Sequence, residues 1–326
     1  MKHLFIINPV AWKVQGRVAQ VKEEIEACLR NYPQLSYAIH VTRWSRDAVG
    51  YIKRFCQQEP GLVRIYAVGG VGTLFEVVNG AIGLPNVQVA CYPLGRNNSF
   101  VHAFCGDDFH VFCDLENLVF ADVTPVDAIC CNRSYCLSFS FFGAEALADV
   151  QSDDLIARTR FIPPPLCHAY AGARALLRPG MLQHYSITLD GRLSLDGDYL
   201  SAFVANQPFY GYGMRPGIDA VPNDGLLNLY LWRRLPPVPL LKIFRDYLRG
   251  QSHKWRNQIL HYPFKRLSIT SDDLIAISLD GEFSYATTVE YEIIPDGLDF
   301  VCPAGTKVQN LSADIHRKTS PAVMEA

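Results

Sequence analysis

Three glycines stand where the chain could bind phosphate. Gly69, Gly70 and Gly72 follow an apolar run at 63–68, and Thr73 begins a stretch with helical periodicity. Glycine permits a tight turn and close approach of the backbone, and the free N–H groups at a helix start bind phosphate oxygens. No lysine follows as in a Walker loop, and the third glycine of the dinucleotide fingerprint is missing. Phosphate binding and a purely structural turn both remain open for this loop taken alone.

Two further loops share this arrangement. Residues 93–100 (Pro-Leu-Gly-Arg-Asn-Asn-Ser-Phe) and 8–11 (Asn-Pro-Val-Ala) each follow a predicted strand. In a parallel sheet, ligands bind where the carboxyl ends of the strands meet. We therefore expect the three loops to line one crevice.

The elements that position these loops are predicted from hydrophobic periodicity. Over 1–122, predicted strands alternate with predicted helices. The strands are the apolar runs at 3–8, 35–41, 63–68 and 87–92. The helices are the amphipathic stretches at 18–31 and 73–80 and a helix that is capped by Ser45 and ends at Phe55. This alternation is typical of an open α/β domain with a parallel sheet.

The pattern changes near Asp122. From 123 to 302, short runs of period-two alternation are separated by turn signals such as Asp190-Gly191 and Asp280-Gly281, which predict a mostly β domain. The prolines at 163–165 are expected in a loop, because proline lacks the donor that an interior strand needs. Residues 303–326 are polar and are expected to form a frayed tail.

Composition excludes several classes of protein. The 30 Lys and Arg against 32 Asp and Glu give a net charge of −2, which argues against a dedicated nucleic-acid binder. No apolar run reaches the ~18–20 residues needed to cross a bilayer, and no signal peptide is recognisable. The ten cysteines contain no C-x-x-C pair and lie mostly in apolar surroundings, so we interpret them as reduced core thiols in a cytoplasmic protein.

One stretch departs from this near-neutral average. Residues 233–266 hold nine basic residues and one acid, Asp246, which is +8 for the stretch and −10 for the rest. Leu240, Leu241, Phe244, Tyr247 and Leu248 interleave with the charges, as in an amphipathic helix with a basic flank. Such a face would attract anionic phospholipid. A solvated helix lying over the β domain is the equal alternative.

Five motifs occur in a fixed order along the chain. They are Asn8-Pro9, the glycine loop 69–80, the loop 93–100, Asn223-Asp224-Gly225-Leu226 and Leu279-Asp280-Gly281-Glu282; the segment 204–214 adds a Val-Ala-Asn sequence and a glycine turn. In this order they resemble the diacylglycerol kinase catalytic-domain family, which includes bacterial lipid kinases, sphingosine kinases and ceramide kinases. The resemblance spans nearly the whole chain. It implies an α/β nucleotide domain, a sandwich-like β domain and a cleft between them.

The resemblance also implies an activity and a site. A family member transfers the γ-phosphate of ATP, with Mg²⁺, to a hydroxyl of a diacylglycerol-like lipid at a membrane surface. The implied nucleotide-binding residues are Asn8, Gly69, Gly70, Gly72, Thr73, Glu76, Gly95, Arg96 and Asn98. Asp280 is the candidate base and Glu282 completes the late acidic pair; taken by itself, this sequence is also typical of a plain hairpin turn. Asp224, with the backbone carbonyls of Val221 and Leu226, resembles a structural Mg²⁺ site, for which a turn without metal is the alternative.

Departures from the family pattern keep a second hypothesis open. Val71 replaces the loop aspartate, and Trp12, Arg96, Asn97 and Ser99 replace other family residues in the loops. Arg96 could supply positive charge to a phosphate or could block the pocket. The alternative is thus a catalytically inactive member that binds nucleotide, lipid or a protein partner. A soluble enzyme similar to NAD kinases is a further alternative, but the late Leu-Asp-Gly-Glu motif and the basic stretch favour lipid. We expect a cytoplasmic protein, peripheral at the inner face of the membrane, and a homodimer stays open.

Overall fold

The first part of the chain is a parallel sheet with helices. The computed structural model describes residues 1–159, 162–177, 182–211 and 214–312. Four strands pair in parallel in the order β2-β1-β3-β4, namely β1 (Lys2–Ile7), β2 (Ser36–Val41), β3 (Val63–Gly69) and β4 (Val87–Pro93). The connecting helices are α1 (Val18–Arg30), α2 (Asp47–Gln58) and α3 (Val71–Ala81), followed by the short α4 (His102–Cys105) and α5 (Leu115–Phe120). The predicted α/β architecture is confirmed, because the apolar runs form parallel strands. Strands β1, β3 and β4 are buried almost throughout, whereas β2 at the edge of the sheet is partly exposed.

The second part is mostly antiparallel β. Its strands are β5 (Asp122–Cys131), β6 (Ser134–Cys136), β7 (Phe139–Gly143), β8 (Gln183–Leu189), β9 (Leu193–Ala205), β10 (Leu227–Arg233), β11 (Ile259–Phe264), β12 (Arg266–Leu279) and β13 (Glu282–Cys302). The predicted β-rich class is therefore confirmed. Three helices accompany these strands, α6 (Ala144–Arg158), α7 (Pro164–Leu177) and α8 (Pro237–Leu248).

The long strand β13 joins the two parts. Its first half pairs with β12, and its last half pairs with β5 and, at Asp299 and Phe300, in parallel with β4. One sheet of 13 strands results. The ring of Phe300 lies against Phe100 and Phe104 at centroid distances of 4.9 and 5.2 Å, so the end of β13 belongs to the hydrophobic core of the first part.

The start of α2 differs from the prediction. Ser45 does not cap this helix, which begins at Asp47 after Arg46 in a left-handed conformation (φ 65°). The backbone N–H groups of Arg46 and Ala48 instead donate to the two carboxylate oxygens of Glu76 on α3, at 2.9 and 3.3 Å. A side chain 28 residues away thus satisfies the free donors that every helix start presents.

Two expectations about irregular segments are also corrected. The loop expected at 163–165 is wrong for its last two residues, because α7 begins at Pro164. Proline is favoured in a first helical turn, where its missing N–H would have no partner. The frayed tail is wrong for 303–312, because the N–H groups of Lys307 and Gln309 donate to the carbonyls of Phe104 and Ala103 at 3.0 and 2.8 Å. The rest of the expected tail, 313–326, lies outside the described residues.

Helix α8 is amphipathic, as the basic stretch predicted. Leu240, Ile243, Phe244 and Tyr247 are buried in a hydrophobic cluster of the second part, so the apolar face of the helix is covered by the protein itself. The nine basic side chains of 233–266 are exposed.

Among the described residues, no helix is long and apolar enough to span a membrane. The ten cysteines are free thiols; five are buried and five are half-buried. A free cysteine in such surroundings packs like a small apolar residue.

Candidate active site

One cleft is bordered by all three loops. The first loop contributes Asn8, Ala11 and Trp12, the second contributes residues 70–73, and the third contributes residues 95–97 and Ser99. The cleft has a cavity volume of about 330 Å³, near the lower end of the range of ~300–1,000 Å³ that is usual for ligand sites. The structure therefore brings together the loops at the carboxyl ends of β1, β3 and β4.

Close backbone contacts explain the glycines of these loops. A Cβ atom on Gly95 would lie 2.2 Å from the Cα atom of Gly70, and one on Gly69 would lie 2.2 Å from the Thr73 hydroxyl oxygen. Only glycine fits either position without displacement of the chain. The N–H groups of Leu94 and Gly95 both donate to the carbonyl of Gly69, at 2.9 and 2.8 Å, which holds the second and third loops together.

The start of α3 forms the floor of the cleft. Helix α3 begins at Val71 without a side-chain cap, and Gly72 and Thr73 of its first turn line the cleft. The Thr73 hydroxyl is buried and has no hydrogen-bond partner within the described part of the chain. The N-terminal end of a helix carries partial positive charge, so this floor favours an anion.

The wall that faces the loops carries carboxylates. Asp280 and Gly281 have positive φ angles (45° and 91°) and form the two-residue turn between β12 and β13, so the hairpin alternative is correct. The same turn lines the cleft together with Glu282. Asp280 therefore both forms a hairpin turn and lies at the cleft.

Three backbone donors hold the Asp280 carboxylate in place. Oδ2 accepts hydrogen bonds from the N–H groups of Leu137 and Ser138 at 3.0 and 3.2 Å, and Oδ1 accepts from Phe139 at 3.0 Å. Burial raises the pKa of Asp280 to about 6, although these donors oppose the shift. Asp280 is therefore mainly ionised at neutral pH and fixes the start of β7 beside the cleft.

Asp149 is an acid of the cleft that the sequence analysis missed. This residue of α6 is 8% exposed, and its two oxygens accept hydrogen bonds from the hydroxyl groups of Tyr210 and Ser278. Burial raises its pKa, which the two hydroxyl donors oppose. The only signal in the sequence is a pair of acids, Glu145 and Asp149, within the otherwise apolar stretch 144–150.

A second, apolar pocket adjoins the cleft. Asp149 and Tyr210 line both cavities. The second pocket has a cavity volume of about 50 Å³. Its remaining walls are Phe141, Glu145, Ala148, His168, Gly172, Met214, Pro216, Phe244 and Tyr247. Helices α7 and α8 close it, and they pack so tightly that a Cβ on Gly172 would lie 2.4 Å from the ring of Phe244.

Arg96 reaches across the cleft instead of filling it. Its side chain is exposed, and Nη1 donates to the carbonyl oxygen of Ile156 on α6 at 3.3 Å. Within the described chain it is the sole basic residue that lines the cleft, against Asp149, Asp280 and Glu282. Both alternatives for Arg96, a cation for a phosphate and a side chain that obstructs the cleft, stay open.

The other residues proposed from the family pattern lie around the cleft or outside it. The Asn98 side chain lines an adjoining cavity with Trp12 and Lys13, and its amide donates to the carbonyl of Gly95 at 3.0 Å. Gly69 contributes to the loop through its backbone, as described above. Glu76 does not line the cleft and caps α2.

The turn around Asp224 is the place of the magnesium site that the family resemblance implies. Its Oδ1 accepts from the N–H of Leu226 at 3.0 Å, and the N–H of Gly225 donates to Asp127 at 2.8 Å. Across 1–159, 162–177, 182–211 and 214–312, the structure contains no group of three or more His, Cys, Asp or Glu that could hold a metal ion. The magnesium site at Asp224, Val221 and Leu226 stays a prediction, and we derive no step through it.

Two family models match the chain. The diacylglycerol kinase catalytic domain matches residues 2–131, and the YegS C-terminal NAD kinase beta sandwich-like domain matches residues 142–302. The chain belongs to the diacylglycerol kinase catalytic-domain family. In this family member the loop aspartate is replaced by Val71, the first residue of α3, so the carboxylates of the cleft all come from the second part of the chain.

Curated and solved relatives agree with this membership of the diacylglycerol kinase family. A Staphylococcus aureus protein (strain JH9), provisionally named a lipid kinase, is 27% identical over 277 residues, which are 80% of this chain and 86% of the relative. A diacylglycerol kinase structure from Bacillus anthracis is 19% identical, with a TM-score of 0.65 over 93% of this chain and 97% of that one. Another Bacillus anthracis structure, provisionally named a diacylglycerol kinase, has a TM-score of 0.69 at 20% identity over 93% of this chain and 95% of that one. At such identities the two structures show the fold alone.

Proposed function

We propose that this protein transfers the γ-phosphoryl group of ATP to a hydroxyl group of a lipid. One observation carries the proposal: the cleft floored by the glycine loops and the apolar pocket share Asp149 and Tyr210 as a common wall. A phosphate in the cleft and an alkyl chain in the pocket would thus meet at a buried carboxylate. The provisional lipid kinase name of the Staphylococcus aureus relative supports the same class of reaction.

In this proposal, each residue of the cleft has its own role in the transfer. The N–H groups at the start of α3 and the guanidinium of Arg96 bind and orient the phosphates of ATP. Asp149 orients the lipid hydroxyl, and Asp280 accepts its proton as the oxygen attacks the γ-phosphorus. The bond between the γ-phosphorus and the β–γ bridging oxygen breaks, and ADP leaves. Mg²⁺ enters with the nucleotide as part of the substrate.

The proposal includes an anionic membrane surface as the place of the reaction. The nine exposed basic residues of 233–266 lie in the same part of the chain as the apolar pocket, and helix α8 among them closes that pocket. Because the apolar face of α8 is buried in the protein, the attraction is electrostatic and weakens as salt is added. Binding to vesicles that contain phosphatidylserine should therefore decrease between low and physiological salt.

The test is transfer of label from radiolabelled ATP to diacylglycerol in mixed micelles with MgCl₂. We expect turnover by the wild type and a loss of about 100-fold or more in Asp149→Asn and in Asp280→Asn. Asp198→Asn, which changes an exposed acid of β9, is the matched control and should retain full turnover. A wild type that binds ATP and labels no lipid would instead support the inactive alternative.

A further inference from the structure

Arg96 connects the loop after β4 with the helix that carries Asp149. Its Nη1 atom donates to the carbonyl oxygen of Ile156 in the last turn of α6, and Asp149 lies two turns earlier on the same helix. The last four carbonyls of a helix lack partners within it, and this end carries partial negative charge. A guanidinium at the end of α6 is therefore a stabilising contact between the two parts of the chain.

Asn97 provides a second contact with the surroundings of Asp149. It lies against Gly211, where a Cβ atom would come within 3.1 Å of the Asn97 amide nitrogen. Gly211 follows Tyr210, whose hydroxyl group donates to Asp149. Both contacts come from loop residues that depart from the family pattern, so this connection to Asp149 is a feature of this chain in particular.

The first half of α6 is attached to the sheet. The N–H of Glu145 donates to the hydroxyl oxygen of Ser201 on β9 at 3.0 Å, and Asp149 accepts from Ser278 on β12. Asp149 thus lies between the anchored start of the helix and the end that Arg96 contacts. A change in the position of the guanidinium acts on α6 from that far end.

The guanidinium of Arg96 can hold a phosphate and the end of α6 at the same time. It has five N–H donors, and the bond to Ile156 at 3.3 Å uses one of them. The side chain is exposed and lines the cleft together with the start of α3, where the helix end favours an anion. A phosphate in the cleft could therefore bind the remaining donors through charge-assisted hydrogen bonds.

We propose that Arg96 is a positioning residue that couples the phosphate site to α6. A nucleotide phosphate fixes the guanidinium and, through the carbonyl of Ile156, the C-terminal half of the helix. Occupation of the cleft thereby stabilises Asp149 at the common wall of the cleft and the apolar pocket. Lysine cannot replace this link, because its ammonium is a point charge without the planar fork of donors. The inference rests on the proposed function for the nucleotide in the cleft, but the coupling itself needs no transfer to lipid.

Hydrogen exchange of the full chain, with and without ATP and MgCl₂, tests the coupling. We expect saturating ATP to slow exchange in the C-terminal half of α6 at least about 5-fold in the wild type. The β8–β9 hairpin, which contributes no residue to the cleft, should exchange at the same rate in both states.

The matched variants separate the charge of Arg96 from its fork of donors. Arg96→Lys should bind ATP within about 3-fold of the wild type in the calorimeter, yet protect α6 less than about 2-fold. At saturating ATP its turnover should decrease about 3-fold, because Asp149 is less well placed. Arg192→Lys, at an exposed turn, is the control and should retain the wild-type protection and turnover.

The wild type alone already tests the inference, so the result does not depend on the folding of a variant. Unchanged or faster exchange of α6 with ATP bound would overturn it, and so would full protection in Arg96→Lys. Protection that depends on Arg96, without labelling of any lipid, would remove the proposed transfer and support the coupling. Transfer to lipid without protection of α6 would overturn the coupling alone.

Discussion

Gly95 and Gly70 approach each other so closely that two loops of the cleft form one surface. A Cβ atom on Gly95 would lie 2.2 Å from the Cα atom and 2.7 Å from the nitrogen of Gly70. Both glycines line the cleft, and the N–H of Val71 next to them donates to the carbonyl of Asn97 at 3.1 Å. The loop after β4 is thereby attached to the start of α3.

Gly95→Ala should separate the two loops and weaken ATP binding. The added methyl group would meet the backbone of the facing loop, and a backbone cannot move aside as a side chain can by changing its rotamer. We therefore expect the free energy of unfolding to fall by about 1–3 kcal/mol and the affinity for ATP to fall at least about 10-fold. Urea unfolding and calorimetry measure the two effects. Gly61→Ala, where a Cβ meets nothing within 4 Å, is the control and should change neither quantity. Wild-type ATP affinity in Gly95→Ala would contradict the role of this contact.

Asp280→Asn should lower stability as well as activity. Three backbone N–H groups donate to the two carboxylate oxygens, and an amide would turn one of those oxygens into a donor that faces other donors. The free energy of unfolding should decrease by about 1–3 kcal/mol, measured by urea denaturation. Asp272→Asn, on the exposed part of β12, should change it by less than about 0.5 kcal/mol. A stable Asp280→Asn variant would show that these bonds do not hold β7 in place.

Arg96→Ala should raise the KM for ATP more than it lowers kcat. The guanidinium is the basic group on the described walls of the cleft, and bonds from charged donors are worth about 1.5–3 kcal/mol. We expect the KM to rise about 10-fold in Arg96→Ala and less in Arg96→Lys, which keeps the charge. Arg192→Ala, at an exposed turn far along the chain, should behave as the wild type. An unchanged KM in Arg96→Ala would favour its contact with Ile156 as the main role.

Trp12 should report nucleotide binding through its fluorescence. Its side chain is 57% exposed at the rim of the cleft, so a bound nucleotide would change its solvation directly. Titration with ATP should change the emission of the wild type, and Trp12→Phe should abolish the change while ATP still binds in the calorimeter. Trp44, which is 64% exposed and does not line the cleft, provides the comparison: Trp44→Phe should keep the signal.

Glu145 should make the protein less stable as pH rises. Its pKa is raised from 4.5 to about 7 in the folded state, so the folded protein binds its proton more tightly than the unfolded chain. The stabilisation from this proton is complete below pH 4.5 and is lost as pH rises through 7, a change of about 3 kcal/mol. Glu145→Gln should remove this part of the pH dependence and exceed the wild type in stability at pH 8. Parallel stability–pH curves for the two proteins would show that Glu145 is not desolvated.

The sequence alone predicted the features that depend on neighbouring residues. Apolar runs and turn signals identify β1, β3 and β4 and the loops that follow them, because burial and turn formation are encoded within a few residues. The order of the motifs then identified the family and the two kinds of domain. Asp280-Gly281 was predicted as a turn from its residue types, whereas the resemblance to the family marked Asp280 as a candidate base.

Only the tertiary structure decided which distant groups meet. Asp149 lines both the cleft and the apolar pocket, and Glu145 lines the pocket, because α6 packs beside both cavities; in the sequence they are only two acids within an apolar stretch. The resemblance implied Glu76 as a nucleotide-binding residue, but its carboxylate caps α2, since the free donors of that helix lie across a helix–helix contact. The end of β13 completes the first core from the far end of the chain. Hydrogen bonds and burial between such distant segments depend on how the elements pack, which no local pattern encodes.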